Sequence, residues 1–474
     1  MTIGSRRVLH GYLALLLGVV FGKVIALGSE VRLARALGPG LLGQYGTLLA
    51  VLSYGLTVAN MGLDTVGTRA VARDRTTAGA YQARIRNRRL GIGILVVVAA
   101  VVSAILLRVS IGPIAPLLVV PLALAFRDDW LLIALGRDRE VATASVFHDV
   151  IFFLLVFWLV KSQAGVLRGA VCFACSELAW AGWIQWRLRR TRFAPQNGQE
   201  VPRINGLFLM GLPIAVMGVL SLSTGRVSTA LTSAIGGVTA AGAFYATQRI
   251  LLAIQAVVAP FGRVILPALS AETRPSEGLT LGAGIARIGF YLSLTGSLFG
   301  LVLYHFSLPI VKLLYGSQFA AAGPVLRWTA ISAFASTAYL VPSQYLLSQH
   351  RERALAGVTL LAACVNITLC LTTVGKMGAE GAALACAAAD AVILFGALAL
   401  LYKTVVLRRS LAATAFISAA ASMAVVIARA LIPTSRAWQF TLSLGILCAS
   451  TWVLPLVGIV APVGSIRSGP GEGA

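Results

Sequence analysis

Acidic residues are scarce in this chain, 16 among 474. Charged residues of both signs reach only 12%, against roughly a quarter in soluble domains. That shortage excludes an ordinary soluble domain, which needs more polar surface than these residues supply. Histidine is scarce too. His10, His148, His305 and His350 lie far apart, without metal-ligand spacing, a Ser-His-Asp set, a Walker loop or a nucleotide motif. No catalytic residue, metal site or cofactor is expected, and the chain does not read as an enzyme. The six cysteines, Cys172, Cys175, Cys364, Cys370, Cys386 and Cys448, all fall in apolar runs. The CxxC at Cys172 and Cys175 has neither a histidine nor a second CxxC with it, so the thiols read as buried and apolar. Long polar connections are also missing: none exceeds about 25 residues. There is no room for a soluble catalytic domain or a large external loop, and function has to reside within the membrane.

What fills the chain is apolar: 58% of it is hydrophobic. A bilayer-crossing helix needs about 20 mostly apolar residues. About fourteen such runs can be placed: 11–33, 41–62, 90–109, 114–135, 141–161, 165–186, 206–233, 238–260, 285–306, 325–347, 355–374, 380–402, 411–432 and 437–460. The expected fold is an all-α integral membrane protein. Arg6 and Arg7 precede the first run, but that run is long and no small-x-small cleavage site follows, so it reads as a span rather than a cleavable signal.

The formal net charge is +23. With the N-terminus placed in the cytoplasm, one loop collects Arg69, Arg73, Arg75, Arg84, Arg86, Arg88 and Arg89. A second collects Arg187, Arg189, Arg190, Arg192 and Arg203, and a third Lys403, Arg408 and Arg409. The cytoplasmic side gains 25 Lys and Arg in all, the opposite side ten. This positive-inside bias puts both termini in the cytoplasm and the basic loops against anionic membrane lipids. Short loops nearly free of aromatics argue against nucleic acid.

An internal repeat supports two related halves. Gly38, Gly43 and Tyr45 form G-x4-G-x-aromatic at the entry to the second span, and Gly237, Gly242 and Phe244 repeat it at the eighth. KSQAGVLRGAVCFAC between spans five and six matches KMGAEGAALACAA between spans eleven and twelve, each followed by an intramembrane acid, Glu177 or Asp390. The shared six-span offset implies two six-helix lobes in parallel orientation, 1–190 and 204–405. Two further transmembrane helices and a short cytoplasmic tail occupy 406–474. Parallel repeats are a transporter signature.

Four cations interrupt the spans: Lys23, Arg127, Arg226 and Arg249. Mid-membrane charge costs about 2.5–3.5 kcal/mol on insertion scales, so such groups face a bundle interior or a watery cavity. At 1.5 Å per residue, Lys23 lies about 15 Å below the outer surface, Arg226 about 10 Å, Arg249 about 16 Å and Arg127 about 20 Å. One cationic layer is expected if all four face inward. Arg127 has Asp128, Asp129 and Asp149 within reach in sequence. Lys23 and Glu30 are two turns apart, too far for most rotamers. For Arg226 and Arg249 the second lobe offers only Asp390 and Glu380, which leaves an anionic ligand as the better partner. Arginine suits phosphate, with a rigid bidentate fork and a permanent charge. Asn366 either bonds a sugar hydroxyl or links helices. Gly22, Gly28, Pro213, Pro260 and Pro267 are the expected bending points.

Several stretches resemble the Wzx-type polysaccharide flippases of the multidrug/oligosaccharidyl-lipid/polysaccharide exporter superfamily. They are RLARALGPGLLGQYGTLLAVLSYG with NMGLDTVGTRAVAR, LPIAVMGVLSLSTGRVSTALTSAIGGVTAAGAFYATQRI, LPIVKLLYGSQFAAAGPVLRW and NITLCLTTVGKMGAEGAALACAAAD, in the expected order over almost the whole chain. The resemblance implies flipping of an undecaprenyl-pyrophosphate-linked oligosaccharide across the bacterial cytoplasmic (inner) membrane by alternating access. The product would be O-antigen, capsule or exopolysaccharide, with the polysaccharide polymerase and chain-length machinery as partners. By position it implies that Lys23 and Arg249 are basic cavity residues and that Arg69 meets the headgroup on entry. Arg226 follows a place where many members carry an acid–base pair; here it reads TGR, without the acid. Glu30, Asp64 and Asp390 are the candidates for ion coupling, and nothing in the sequence selects among them or fixes the energy source.

Other readings are weaker on the residues. A lipid-linked peptidoglycan precursor flippase would share the cationic cavity. A multidrug antiporter calls for a net acidic cavity. A membrane glycosyltransferase, polymerase or ligase calls for a large external catalytic loop, and a scaffold has no need of cations at matched depth.

Overall fold

The computed structural model describes residues 3–106, 110–161, 165–190, 204–270, 278–349, 351–401 and 435–456. Every regular element among them is helical. In chain order they are α1 (Ile3–Asn60), α2 (Leu63–Arg73), α3 (Ala78–Leu106), α4 (Val120–Leu124), α5 (Asp129–Ala134), α6 (Asp138–Leu159), α7 (Val166–Arg190), α8 (Ile204–Ser221), α9 (Ser228–Leu231), α10 (Val238–Ser270), α11 (Gly278–His305), α12 (Ser307–Tyr315), α13 (Ala322–Ala338), α14 (Leu340–Ser348), α15 (Glu352–Met377), α16 (Ala379–Leu401) and α17 (Arg436–Leu456). Thirteen of the fourteen expected spans fall on these helices; 411–432 lies outside the described residues, as do Lys403, Arg408, Arg409 and the loop around Arg192.

Among the described residues, length and hydropathy alone qualify five helical stretches to cross a membrane, and up to seven if two bent pairs each count as one span. The distribution of side chains agrees. Leu95, Leu106, Trp158 and Leu371 are exposed, whereas Arg89, Asp128, Asp149, Glu177 and Asn366 are buried. Apolar residues outside and charge inside is the arrangement a hydrocarbon solvent favours. Cys175 and Cys364 are on this outer surface rather than buried; Cys172, Cys370 and Cys386 are buried as expected.

Contacts group the chain into two compact units. The first comprises Met1–Ala253, Val311–Ala322 and Asn366–Ala385; the second comprises Ile254–Ile310, Gly323–Val365 and Cys386–Ala474. In the second, Gly296 lies under Thr337 and Gly300 under Ala330, so small residues let α11 and α13 approach closely. His305 there shares a 3.1 Å hydrogen bond with Ser443 of α17.

The first unit holds both copies of the glycine motif. The first two spans form one continuous helical stretch, α1, broken only at Gly38, which adopts φ 72, ψ 171. Gly237, ahead of α10, adopts φ 86, ψ 163. Both conformations are open to glycine and strained for other residues. Beyond each break the second motif glycine meets its counterpart. A Cβ on Gly43 would lie 1.8 Å from the Val238 carbonyl oxygen, and a Cβ on Gly242 would lie 1.8 Å from that of Pro39. The repeat seen in the sequence is therefore a physical contact, made backbone to backbone.

Spans four and seven are not straight helices. Span four is assembled from a 3-10 turn at Ala115–Val119 and the short α4 and α5. Span seven breaks at Thr224 (φ −80, ψ 113) and Gly225 (φ 98, ψ −56), with a 51° bend across the break. The expected bend at Pro213 is displaced to this pair, where glycine takes the positive φ. α10 runs helically past Pro260 and Pro267.

One correction concerns the basic cluster at 69–89. Helix α3 begins at Ala78, twelve residues before the expected span, so Arg84, Arg86, Arg88 and Arg89 are helical rather than in a loop. Arg89 is completely buried. It is ion-paired to Asp64 and donates to Asn60 Oδ1 at 2.6 Å and to the Arg127 carbonyl at 3.1 Å. Removing one partner of a buried pair costs about 3–5 kcal/mol. Arg89→Leu is therefore expected to lower the thermal unfolding temperature in detergent by several degrees. Arg88→Leu, on an exposed position, is expected to leave it unchanged.

Candidate functional site

The intramembrane cations separate into two groups, both within the first unit. In one, every cation is neutralised by acids. Lys23 Nζ is 3.0 Å from Asp149 Oδ2. His148 Nδ1 is 3.0 Å from Asp149 Oδ1, and its Nε2 is 3.1 Å from Ser176 Oγ and 3.6 Å from Glu177. Glu177 accepts from Arg127 at 2.9 Å, and Arg127 also donates to Asp129 at 3.0 Å while its guanidinium lies 3.7 Å from the Trp180 ring centre. The result is a chain of paired charges from α1 through α6 and α7 to α5. His148, which the sequence left without a partner, sits at its centre. Asp128 is not the acid of Arg127: its Oδ2 accepts from Gln82 at 2.7 Å and Gln185 at 3.0 Å.

The second group contains the two arginines of spans seven and eight. Arg249 is on α10, its side chain 18% exposed, and Glu30 on α1 is 3.3 Å away. The acid paired with Arg249 thus comes from α1, not from Asp390 or Glu380. Arg249 also hydrogen-bonds the hydroxyl of Tyr245, one turn earlier on the same helix, and lies 4.4 Å from that ring's centre. Tyr45 is fully buried beside them, with its ring edge-on to Tyr245 at 6.2 Å. Tyr315 closes the same side, donating to the Ala246 carbonyl at 2.9 Å.

Arg226 sits directly after the Thr224–Gly225 break. It is close enough to Arg249, Glu30, Tyr45 and Tyr245 to interact electrostatically, yet it makes no ion pair among the described residues. Around these two guanidiniums lies a set of buried polar atoms without hydrogen-bond partners among the described residues: Glu30 Oε2, Tyr45 Oη, Tyr54 Oη, Gln248 Nε2 and Arg249 Nε. Leaving a buried polar group unsatisfied costs about 1–3 kcal/mol. These atoms gather beside Arg226 and Arg249, the two arginines of spans seven and eight.

The remaining candidates are elsewhere. Arg69 is exposed on α2. Asp64 is committed to Arg89. Asn366 is buried on α15 and accepts from Ser228 at 2.9 Å, which links it to α9. Asp390 is buried on α16 in the second unit.

The sequence did not reveal Glu30 as the partner of Arg249, because 219 positions separate them and no local pattern joins them. Tyr245 was not singled out either, although it precedes Arg249 by four residues, a spacing that puts both on one face of a helix.

Comparison with known proteins follows the same line. A lipid II flippase, MurJ, in an inward closed conformation aligns over 94% of this chain and 100% of its own, with 13% identity and a TM-score of 0.68. An inward-facing multidrug resistance transporter of the MATE family, in the MOP superfamily, aligns over 83% of this chain and 99% of its own, with 16% identity and a TM-score of 0.63. A MATE transporter in a bent conformation aligns over 85% and 96%, with 14% identity and a TM-score of 0.57. These likenesses establish the fold. No curated protein sequence matches. The family described as polysaccharide biosynthesis protein matches residues 8–272. That is more than half of the chain, and it includes Glu30, Tyr45, Arg226 and Arg249, so the protein belongs to the polysaccharide biosynthesis protein family.

Proposed function

We propose that the protein flips an undecaprenyl-pyrophosphate-linked oligosaccharide repeat unit across the bacterial cytoplasmic membrane for surface polysaccharide assembly. The lobes 1–190 and 204–405 would provide alternating access, with both termini in the cytoplasm. The observation that carries this reading is Arg226, an intramembrane guanidinium without an ion pair among the described residues, next to Arg249 and five unsatisfied buried polar atoms. A diphosphate supplies the missing charge and several acceptors at once, and guanidinium forks match its oxygens. The sugar needs the polar interior, while the polyprenyl tail stays in lipid. No reacting group is required, since no covalent bond changes.

A second reading, flipping of a lipid-linked peptidoglycan precursor, is favoured by the likeness to the MurJ flippase; it uses the same diphosphate contacts. A multidrug antiporter fits less well, because the site is net cationic.

The test is flipping in proteoliposomes, scored by exposure of a polyprenyl-diphosphate oligosaccharide to an external lectin or glycosidase. Wild type is expected to flip it. Arg226→Ala is expected to flip at least about ten-fold more slowly at equal incorporation, the equivalent of losing one charge-assisted hydrogen bond of about 1.5–3 kcal/mol. A folded Arg226→Ala protein with wild-type rate would remove the phosphate from this position.

A further inference from the structure

The unpartnered buried atoms around Arg226 and Arg249 differ in what they ask of a guest. Gln248 Nε2 and Arg249 Nε are donors, the hydroxyls of Tyr45 and Tyr54 serve either way, and Glu30 Oε2 accepts. An ionised phosphate is rich in oxygens that accept and has no hydrogen to donate. It satisfies the donors and the phenols and does nothing for Glu30 Oε2. A phosphate oxygen at that atom would also meet a carboxylate, like charge against like. Glu30 therefore calls for a different part of the guest, one that brings an O–H or N–H.

The surrounding side chains do not supply that hydrogen. Glu30 Oε1 is 3.3 Å from Arg249, and the Glu30 side chain is 12% exposed. The carboxylate is thus held in place with Oε2 shut off from bulk water. Tyr45, Tyr245 and Tyr315 lie close enough to act on it electrostatically, yet among the described residues nothing donates to Oε2. The Tyr245 hydroxyl is bonded to Arg249, Tyr315 donates to the Ala246 carbonyl at 2.9 Å, and Tyr45 Oη makes no hydrogen bond among the described residues. A buried acceptor left without a donor is costly, and a sugar, unlike a phosphate, carries donors on every face.

We propose that Glu30 reads the sugar. Its Oε1 stays on Arg249, and its Oε2 accepts from a hydroxyl or acylamino N–H of the sugar that bears the diphosphate. The substrate class is then a lipid-linked sugar 1-diphosphate with a hydrogen-bond donor on its first sugar. The diphosphate sits at the guanidiniums and that sugar lies against α1. No covalent bond changes, and Glu30 keeps its charge throughout. This rests on the reading of Arg226 and Arg249 as the diphosphate site and adds a specificity-determining residue to it. A lipid whose diphosphate ends in an apolar cap is rejected, because the cap leaves Oε2 unsatisfied; a site built to bond a hydroxyl discriminates strongly against the analogue that lacks it.

The experiment compares two short-chain polyprenyl diphosphates on the full-length protein in lipid nanodiscs. One ends in a monosaccharide. The other ends in a cyclohexyl ring, which has the size of the sugar ring and no donor. Both are diphosphate diesters of the same charge, so a change that acts on the diphosphate alone cancels in the ratio of their dissociation constants. Wild type is expected to prefer the sugar by at least about ten-fold, the equivalent of about 1.4 kcal/mol. Glu30→Ala is expected to lower that preference at least about five-fold, as a protein–probe cycle reports for two groups in contact. Glu30→Gln, which sets an amide N–H in place of the free acceptor, is expected to lower it in the same direction and decides the matter if Glu30→Ala does not fold. Equal binding of the two lipids by wild type, or a preference that the folded Glu30 variant keeps in full, overturns the sugar contact and leaves the anion site standing. A different failure marks the underlying reading: if folded Arg226→Ala binds both lipids as wild type does, or if no folded form binds either, the anion site itself is wrong and the sugar contact falls with it.

Discussion

Arg249→Ala is expected to abolish flipping, with a loss of at least roughly a hundred-fold. Truncating one partner of a buried, hydrogen-bonded charge pair costs about 2–5 kcal/mol or more, equivalent to roughly thirty- to several-thousand-fold in affinity. Arg249 combines the two contacts that fix its guanidinium, Glu30 at 3.3 Å and the Tyr245 hydroxyl, with an Nε that makes no hydrogen bond among the described residues. It is thus held in place without a ligand, and a phosphate would not have to order it. Truncation also leaves Glu30 buried without its cation, so part of the loss would be in stability. The control is the double variant Glu30→Gln with Arg249→Met, which removes both charges together. Its thermal unfolding temperature is expected to return toward wild type while its flipping stays absent. A folded double variant that flips at the wild-type rate would show that Arg249 serves the fold and not the lipid.

Gly43→Ala and Gly242→Ala are expected to yield no correctly folded protein. In each, the new methyl would lie 1.8 Å from a carbonyl oxygen of the other repeat, with backbone atoms behind it. A flexible side chain could move aside; two helix backbones cannot separate without losing the packing along α1 and α10. Gly79→Ala, whose Cβ would meet nothing within 4 Å, is expected to be neutral or slightly stabilising, since alanine is favoured over glycine in a helix by about 1 kcal/mol. Monodisperse yield after detergent extraction separates the two cases. Normal yield of Gly242→Ala would mean that α1 and α10 do not approach as closely as described.

The membrane class and the helix positions were legible because hydrocarbon demands long apolar runs, and such runs leave a strong linear signal. The repeat was legible because positive φ and backbone contact both demand glycine, at Gly38 with Gly237 and at Gly43 with Gly242. The pairing of charges was not. Lys23 reaches Asp149 and Arg249 reaches Glu30 across more than a hundred residues, and only the folded chain decides which acid faces which base. Arg226 and Arg249 act on one another electrostatically, whereas Lys23 and Arg127 pair with acids of their own, and depth along the membrane does not fix the direction in which a side chain points. The break of span seven escaped because proline is the obvious helix breaker, and the chain used Thr224 and Gly225 instead.

The reciprocal glycine contact also bears on ancestry. Pro39 and Gly43 stand 199 positions before Val238 and Gly242, and each pair touches the other: Gly43 faces Val238 while Gly242 faces Pro39. A contact in which i meets j and j meets i is the signature of a two-fold axis. A half-length chain with one copy of the motif would carry both sides of this contact, and two such chains could close it as a homodimer. The next residues along differ between the two sides. Tyr245 covers Gly46, its counterpart at the same offset, where two rings facing each other across an axis would collide. Arg249 has Ala50 as its counterpart. The two copies therefore share the backbone contact at their glycines and differ one and two turns further on, where the second copy carries Tyr245 and Arg249 and the first Gly46 and Ala50.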